Sequence, residues 1–120
     1  MATIMTVDDT ASMRQMISFT LNSVGYEVIQ AGDGSEALKL AKDRKVDLVI
    51  CDLNMPNMDG ITLVRELRGK PAYKFVPLLV LTTEATADRK QQGKAAGATG
   101  WLVKPFNPER LLATIAKVLA

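Results

Sequence analysis

The 120-residue sequence contains no histidine and a single cysteine. Without histidine there is no Ser-His-Asp or Cys-His nucleophile, no imidazole-ligated zinc and no phosphohistidine carrier. One cysteine excludes an intramolecular disulfide and a C-x-x-C redox pair. No apolar run approaches the roughly 18 residues of a membrane span. The start, Met1-Ala2-Thr3-Ile4-Met5, lacks the charged and apolar regions of a signal peptide. An excess of one charge is missing too: 15 Lys and Arg against 13 Asp and Glu leave +2, so no basic nucleic-acid surface is expected. What is present is ordinary globular composition, 48% hydrophobic and 23% charged. The length suits one domain over residues 1–120, without room for a separate output domain. The expectation is a soluble, intracellular, single-domain protein.

Short apolar runs alternate five times with helical patterns. The runs are Ile4–Val7, Val28–Ala31, Leu48–Cys51, Val76–Leu81 and Trp101–Val103, read as strands buried on both faces. Met13, Met16, Ile17, Thr20, Leu21 and Val24 form one helical stripe; Leu111, Leu112, Ile115, Val118 and Leu119 form another. Asp33 and Glu36 are spaced for a reciprocal capping box. Asn107-Pro108 reads as N-cap and first helical position. Gly25 and Gly97 stand where helix ends need a left-handed residue. Lys42-Asp43-Arg44-Lys45 reads as a basic, solvated helix end. The pattern predicts a (βα)5 domain, a parallel sheet with helices on both faces joined by right-handed crossovers.

Ligands of open α/β sheets bind beyond the carboxyl ends of the strands. Here those ends carry Asp8-Asp9 on the first strand, Asp52 on the third, Thr82-Thr83 on the fourth and Lys104-Pro105 on the fifth. If the first and third strands are neighbours, three carboxylates, hydroxyls and one ammonium converge. Clustered carboxylates repel one another and need a cation. Mg²⁺ suits oxygen ligands and few carboxylates, and Lys104 adds a fixed positive charge. Together with a hydroxyl donor these are the parts of phosphoryl transfer, in which a carboxylate can itself be the nucleophile. Taken singly, Asp8 or Asp9 reads as a helix cap, Thr82 as a turn hydroxyl and Lys104 as a solvated lysine; the coincidence of four strand ends points to a site.

Four motifs in this order, Val7-Asp8-Asp9, Asp52-Leu53-Asn54-Met55-Pro56 with Asp59-Gly60, Leu81-Thr82-Thr83-Glu84-Ala85 and Lys104-Pro105-Phe106, resemble the receiver domain of two-component response regulators. The segment Asp9-Thr10-Ala11-Ser12-Met13-Arg14-Gln15 is most similar to the CheY-like, single-domain chemotaxis group of that family. The resemblance covers essentially the whole chain. It implies a flavodoxin-like doubly wound sheet with strand order 2-1-3-4-5. It implies Asp52 as phosphoacceptor. Asp9 and Asp52 would ligate Mg²⁺, Asp8 would act mainly through water, and the backbone carbonyl of Asn54 would complete the shell. Thr82 and Lys104 would contact the phosphoryl group. Lys104-Pro105 would be a cis bond, which proline permits. Trp101 would be the aromatic switch partnered with Thr82, and the fourth helix, fifth strand and fifth helix the readout surface. The partners implied are a CheA-like sensor histidine kinase, a target such as the flagellar motor switch, and a phosphatase. No nucleic acid or membrane is implied, and the protein would be a cytoplasmic monomer. It would be a signalling protein, not an enzyme, though able to phosphorylate itself from small donors and to lose the phosphate unaided.

Residues Ala87–Ala96 are polar and hold Gly93 in mid-helix, which costs ~1 kcal/mol relative to Ala and predicts a weakly anchored helix. Trp101 stands where the family more often has Tyr or Phe, so partial burial is expected. Thr83 replaces a smaller residue and narrows access to Asp52, while Asn54 and Glu84 flank the site. Other readings stay open. Gly32-Asp33-Gly34-Ser35-Glu36-Ala37 matches a dinucleotide fingerprint with Asp52 at the ribose spacing, though two carboxylates would face the pyrophosphate. A Mg²⁺-dependent phosphatase with an aspartyl nucleophile shares the chemistry, but Asn54 replaces its general acid. A phosphorelay intermediate or phosphate sink keeps the family and changes the partner.

Overall fold

A computed structural model describes residues 2–120; Met1, part of the start examined for targeting character, lies outside them. The described residues form β1 (Thr3–Val7), α1 (Ala11–Asn22), β2 (Glu27–Ala31), α2 (Gly34–Asp43), β3 (Leu48–Cys51), α3 (Gly60–Arg68), β4 (Leu78–Thr82), α4 (Ala87–Ala96), β5 (Gly100–Val103) and α5 (Pro108–Leu119), with a 3-10 turn at Pro71–Tyr73. The five strands are parallel in the order β2-β1-β3-β4-β5. This is the flavodoxin-like α/β fold. Two apolar layers flank the sheet. One, under α2 and α3, is built on Met5, Val49, Val80 and Leu63; the other, under α1 and α5, on Ile4, Ile50, Leu81 and Ile115. Successive strand residues face opposite layers, so the central strands are mostly apolar, with Thr6 of β1 and Thr82 of β4 the buried exceptions.

Several sequence expectations need correction. Burial on both faces holds for β3 and β4, but β2 and β5 are edge strands and only partly covered. β4 begins at Leu78, because Pro77 has no N–H to give a ladder and the Val76 carbonyl is taken by Arg68. The α1 stripe is narrower than its spacing suggests: Met16 is 55% and Val24 50% exposed, while Ser18 is buried beside Ile17 and Leu21. The α2 capping is not reciprocal. Asp33 accepts from the Glu36 N–H at 2.8 Å, but the Glu36 carboxylate accepts from the Gly32 N–H, one residue upstream. Asn107 caps α5 as expected, accepting from the Arg110 N–H at 3.0 Å. Gly25 and Gly97 have φ of 94° and 112°.

The dinucleotide reading fails on topology. The Gly32–Gly34 turn follows edge strand β2, and β1 separates it from β3 and Asp52. Gly34 is small because the Met58 side chain packs there: a Cβ would lie 2.6 Å from its sulfur.

Candidate functional site

The carboxyl ends of β1 and β3 are neighbours, with Val7 opposite Cys51, so Asp8 and Asp52 leave the sheet side by side. Their backbones are fixed. The Asp8 N–H donates to the Ala31 carbonyl at 3.1 Å and the Asp52 N–H to the Val7 carbonyl at 2.9 Å. Asp8 Oδ1 accepts from the Thr10 N–H at 2.8 Å, and the Arg14 guanidinium donates to the Asp8 carbonyl. Asp52 Oδ1 accepts from the Leu53 N–H at 2.8 Å. Gly60 closes the far side of β3. Its N–H donates to the Leu53 carbonyl at 2.8 Å, and any Cβ there would collide with the Asp52 carbonyl. That is the physical need behind Asp59-Gly60, whose spacing was legible in the sequence without its reason.

One carboxylate oxygen each from Asp8, Asp9 and Asp52 lies within 4.8 Å of the others. Asp8 is buried, Asp52 half-buried and Asp9 exposed, so the cluster is open on the Asp9 side. Lys104, at the end of β5, brings its Nζ to 2.9 Å from Asp8 Oδ2 and 3.5 Å from Asp52 Oδ1. The Lys104 N–H donates to the Thr82 carbonyl at 2.8 Å, and Lys104-Pro105 is cis. Burial pushes the Asp52 carboxyl above the usual range; Lys104 opposes that rise and Asp8 adds to it. Burial, and then the charges of Asp52 and Asp59, push the adjacent Cys51 thiol up to about 12, so it stays protonated.

Thr82 is fully buried, and its Oγ1 accepts from the Glu84 N–H at 3.2 Å, so the turn hydroxyl keeps its own proton to donate. Thr83 is exposed. Asn54 is exposed too, and its amide donates to Glu84 Oε2 at 3.3 Å. The Trp101 indole is half-buried, and its N–H donates to the Glu84 carbonyl at 2.8 Å. Its six-membered ring lies against Gly93, where a Cβ would stand 2.6 Å from Cζ3. Gly93 is therefore a buried seat for the indole as well as a weak helix former. Sequence reasoning missed Arg89. Its guanidinium lies 3.6 Å from Asp59 and 3.8 Å from Glu84, joining α4 to the α3 N-cap. Burial raises the Asp59 carboxyl, but the Thr62 N–H and Arg89 outweigh it and hold it low. A charged residue one turn into a polar helix gives no signal of such a bridge.

The donor set is all hard oxygen, clustered and open on one side, and only partly neutralised by one ammonium. It fits a divalent cation such as Mg²⁺.

A five-stranded 2-1-3-4-5 sheet with this acidic cleft, a lysine and a hydroxyl at its carboxyl edge is a doubly wound domain with its cleft where such sheets bind ligands. Residues 4–116 match the family described as "Response regulator receiver domain", and the chain belongs to that family. Its likeness is to the CheY-type receivers in particular. It is 54% identical to chemotaxis protein CheY4 of Vibrio cholerae, whose crystal structure superposes with a TM-score of 0.95 over 98% of each chain. It is 36% identical to chemotaxis protein CheY of Pseudomonas aeruginosa, over 96% of this chain and 94% of that protein. It is also 38% identical to the phosphate regulon transcriptional regulatory protein PhoB of Pseudomonas aeruginosa, over 98% of this chain and 51% of that protein. The chain thus spans about half the length of the first curated relatives it matches. The receiver domain of sensor histidine kinase PA1611 from Pseudomonas aeruginosa, 28% identical with a TM-score of 0.91 over 98% of this chain and 97% of that one, has a magnesium ion coordinated in its active-site cleft. Among the described residues no helix is long and apolar enough to cross a membrane.

Proposed function

We propose that this chain is a stand-alone receiver, residues 1–120, that takes a phosphoryl group from a histidine kinase onto Asp52 and relays its arrival to a partner in chemotaxis. The observation that carries the reading is the Lys104 ammonium set between the carboxylates of Asp8 and Asp52. The 54% identity to CheY4 over 98% of both chains supports the chemotactic role over that of a transcriptional regulator's receiver portion.

In this reading an Asp52 oxygen attacks phosphorus as the bond from phosphorus to the donor nitrogen breaks, and that electron pair leaves on the imidazole. Burial raises the Asp52 carboxyl, and the Lys104 ammonium that faces it opposes that rise and so favours the ionised, nucleophilic form. Asp9, Asp52 and the Asn54 carbonyl, with Asp8 through water, would hold Mg²⁺. When bound, the ion supplies positive charge that balances the carboxylates and the phosphoryl oxygens. Lys104 can then turn from carboxylates to a phosphoryl oxygen, and buried Thr82 can donate its hydroxyl proton to another. The Glu84 N–H rests on the Thr82 hydroxyl and the Glu84 carbonyl on the Trp101 indole, so a shift at Thr82 moves the loop between β4 and α4 and the indole together. That link supports Thr82 and Trp101 as the switch pair.

The test is incubation with acetyl phosphate and Mg²⁺. Wild type is labelled stoichiometrically and loses the label slowly; Asp52→Asn is not labelled. Equal labelling of both would overturn the assignment, and continuous turnover of p-nitrophenyl phosphate would favour the phosphatase.

A further inference from the structure

At the opposite pole of the sheet, where the chain enters β3 and β4, lies a hollow of about 540 Å³ between residues 41–47 and the 71–77 segment. Phosphoryl chemistry makes no use of it. On its edge Phe75 is 88% exposed, more than any other large apolar side chain in the described residues.

The segment carrying Phe75 is braced from two sides. From α3, Arg68 Nη1 donates to the carbonyls of Tyr73 and Val76, each at 2.6 Å, and Nε donates to the Gly97 carbonyl at 2.9 Å. On the other side the buried Tyr73 hydroxyl lies 3.4 Å from both the Ala41 and Arg44 carbonyls, tying the segment to the end of α2. The backbone therefore holds the phenyl ring out in water, beside Lys74, whose ammonium is 5.5 Å from the ring centre. A contact group ordered during folding adds little entropy cost on binding.

The rim is cationic. Lys42, Lys45 and Lys74 make no ion pair among the described residues. Arg44 meets Glu27 at 3.2 Å, but both are more than half exposed and the pair screens little. Of the two acidic residues there, Asp47 is already engaged by the Thr3 N–H at 2.8 Å.

We propose that this pole docks an acidic peptide segment of a partner protein, which lays an apolar side chain on Phe75 and carboxylates against Lys42, Lys45 and Lys74. A nucleic acid is the poorer occupant, since Asp43 and Asp47 interrupt the basic run that lines the hollow. A bilayer is poorer too, since one ring gives it little to insert.

The proposal is independent of the role given to Asp52. Its test titrates the full ¹⁵N-labelled chain with acetyl-Glu-Glu-Leu-Phe-Glu-Glu-amide, and separately with the Lys-for-Glu peptide, phosphatidylglycerol vesicles and a single-stranded oligonucleotide. The acidic peptide alone is expected to bind, with amide shifts confined to residues 41–47 and 71–77. Its affinity is expected to fall about tenfold in Phe75→Ser and in Lys45→Glu. Both side chains are exposed, so the native amide spectrum is retained. Absent or scattered shifts, undiminished binding by Phe75→Ser, or binding of the vesicles or oligonucleotide instead would overturn it. Labelling of Asp52 is read separately and stands or falls alone.

Discussion

Lys104 Nζ lies 2.9 Å from Asp8 Oδ2, across 96 positions of sequence. Asp8 is only 2% exposed, so this contact is what makes a buried charge tolerable. Lys104→Met is expected to destabilise the metal-free protein by ~3 kcal/mol at neutral pH, in the range for breaking a buried pair. Urea unfolding measures it. Adding Asp8→Asn should return most of the loss; no recovery would mean that the lysine stem, not its charge, carries the effect.

Asp52 gives a pH dependence. Its folded pKa is raised, chiefly by burial, so ionisation favours the unfolded chain. This stability is fully present below the ordinary carboxylate range and is lost as pH rises through the raised value. In EDTA, Asp52→Asn and wild type should melt together at low pH and diverge above it. At neutral pH the variant is expected to be the more stable of the two in a thermal melt. Mg²⁺ should narrow the gap by stabilising wild type.

Gly93→Ala sets two effects against each other. Alanine gains ~1 kcal/mol of helix propensity, while its methyl would enter the Trp101 ring, which overpacking penalises by about 1–3 kcal/mol. A net loss in thermal stability is expected, together with a changed Trp101 emission as the indole leaves its seat. A stabilised protein with unchanged emission would show that the ring yields freely.

Arg68→Met removes donors from the carbonyls of Tyr73, Val76 and Gly97. A loss of about 2–4 kcal/mol is expected, from orphaning polar groups that are partly buried. Hydrogen exchange should accelerate locally over residues 73–77 and 97–99 rather than across the sheet.

The alternation of short apolar runs and helical stripes was enough to read the layers, because parallel strands covered on two sides are built mostly from apolar residues. It failed where the covering stops. Edge strand β5 reads as apolar as the central strands yet is only partly buried, and in β2 the exposure that Glu27 and Gln30 mark extends in part to Val28 and Ile29. In α1, Met16 has the spacing of a core residue yet faces outward, since apolar character does not say which flank of a helix meets the sheet. The convergence of Asp8, Asp9, Asp52 and Lys104 was legible because strand ends are few and their residue types unusual. The Arg89 bridge, the Gly93 seat and the Arg68 brace were not, because each depends on how two separate helices or loops lie against one another.

The strand order carries a consequence for synthesis. β1 and β3 pair early in the chain, but Lys104 arrives only with the last strand. A nascent chain emerging from the ribosome through β4 would hold its acidic groups adjacent with no amine to oppose them, and the repulsion would work against premature closure of that edge. Completion of the cleft thus waits on the docking of β5 against β4, the last pairing made in the sheet.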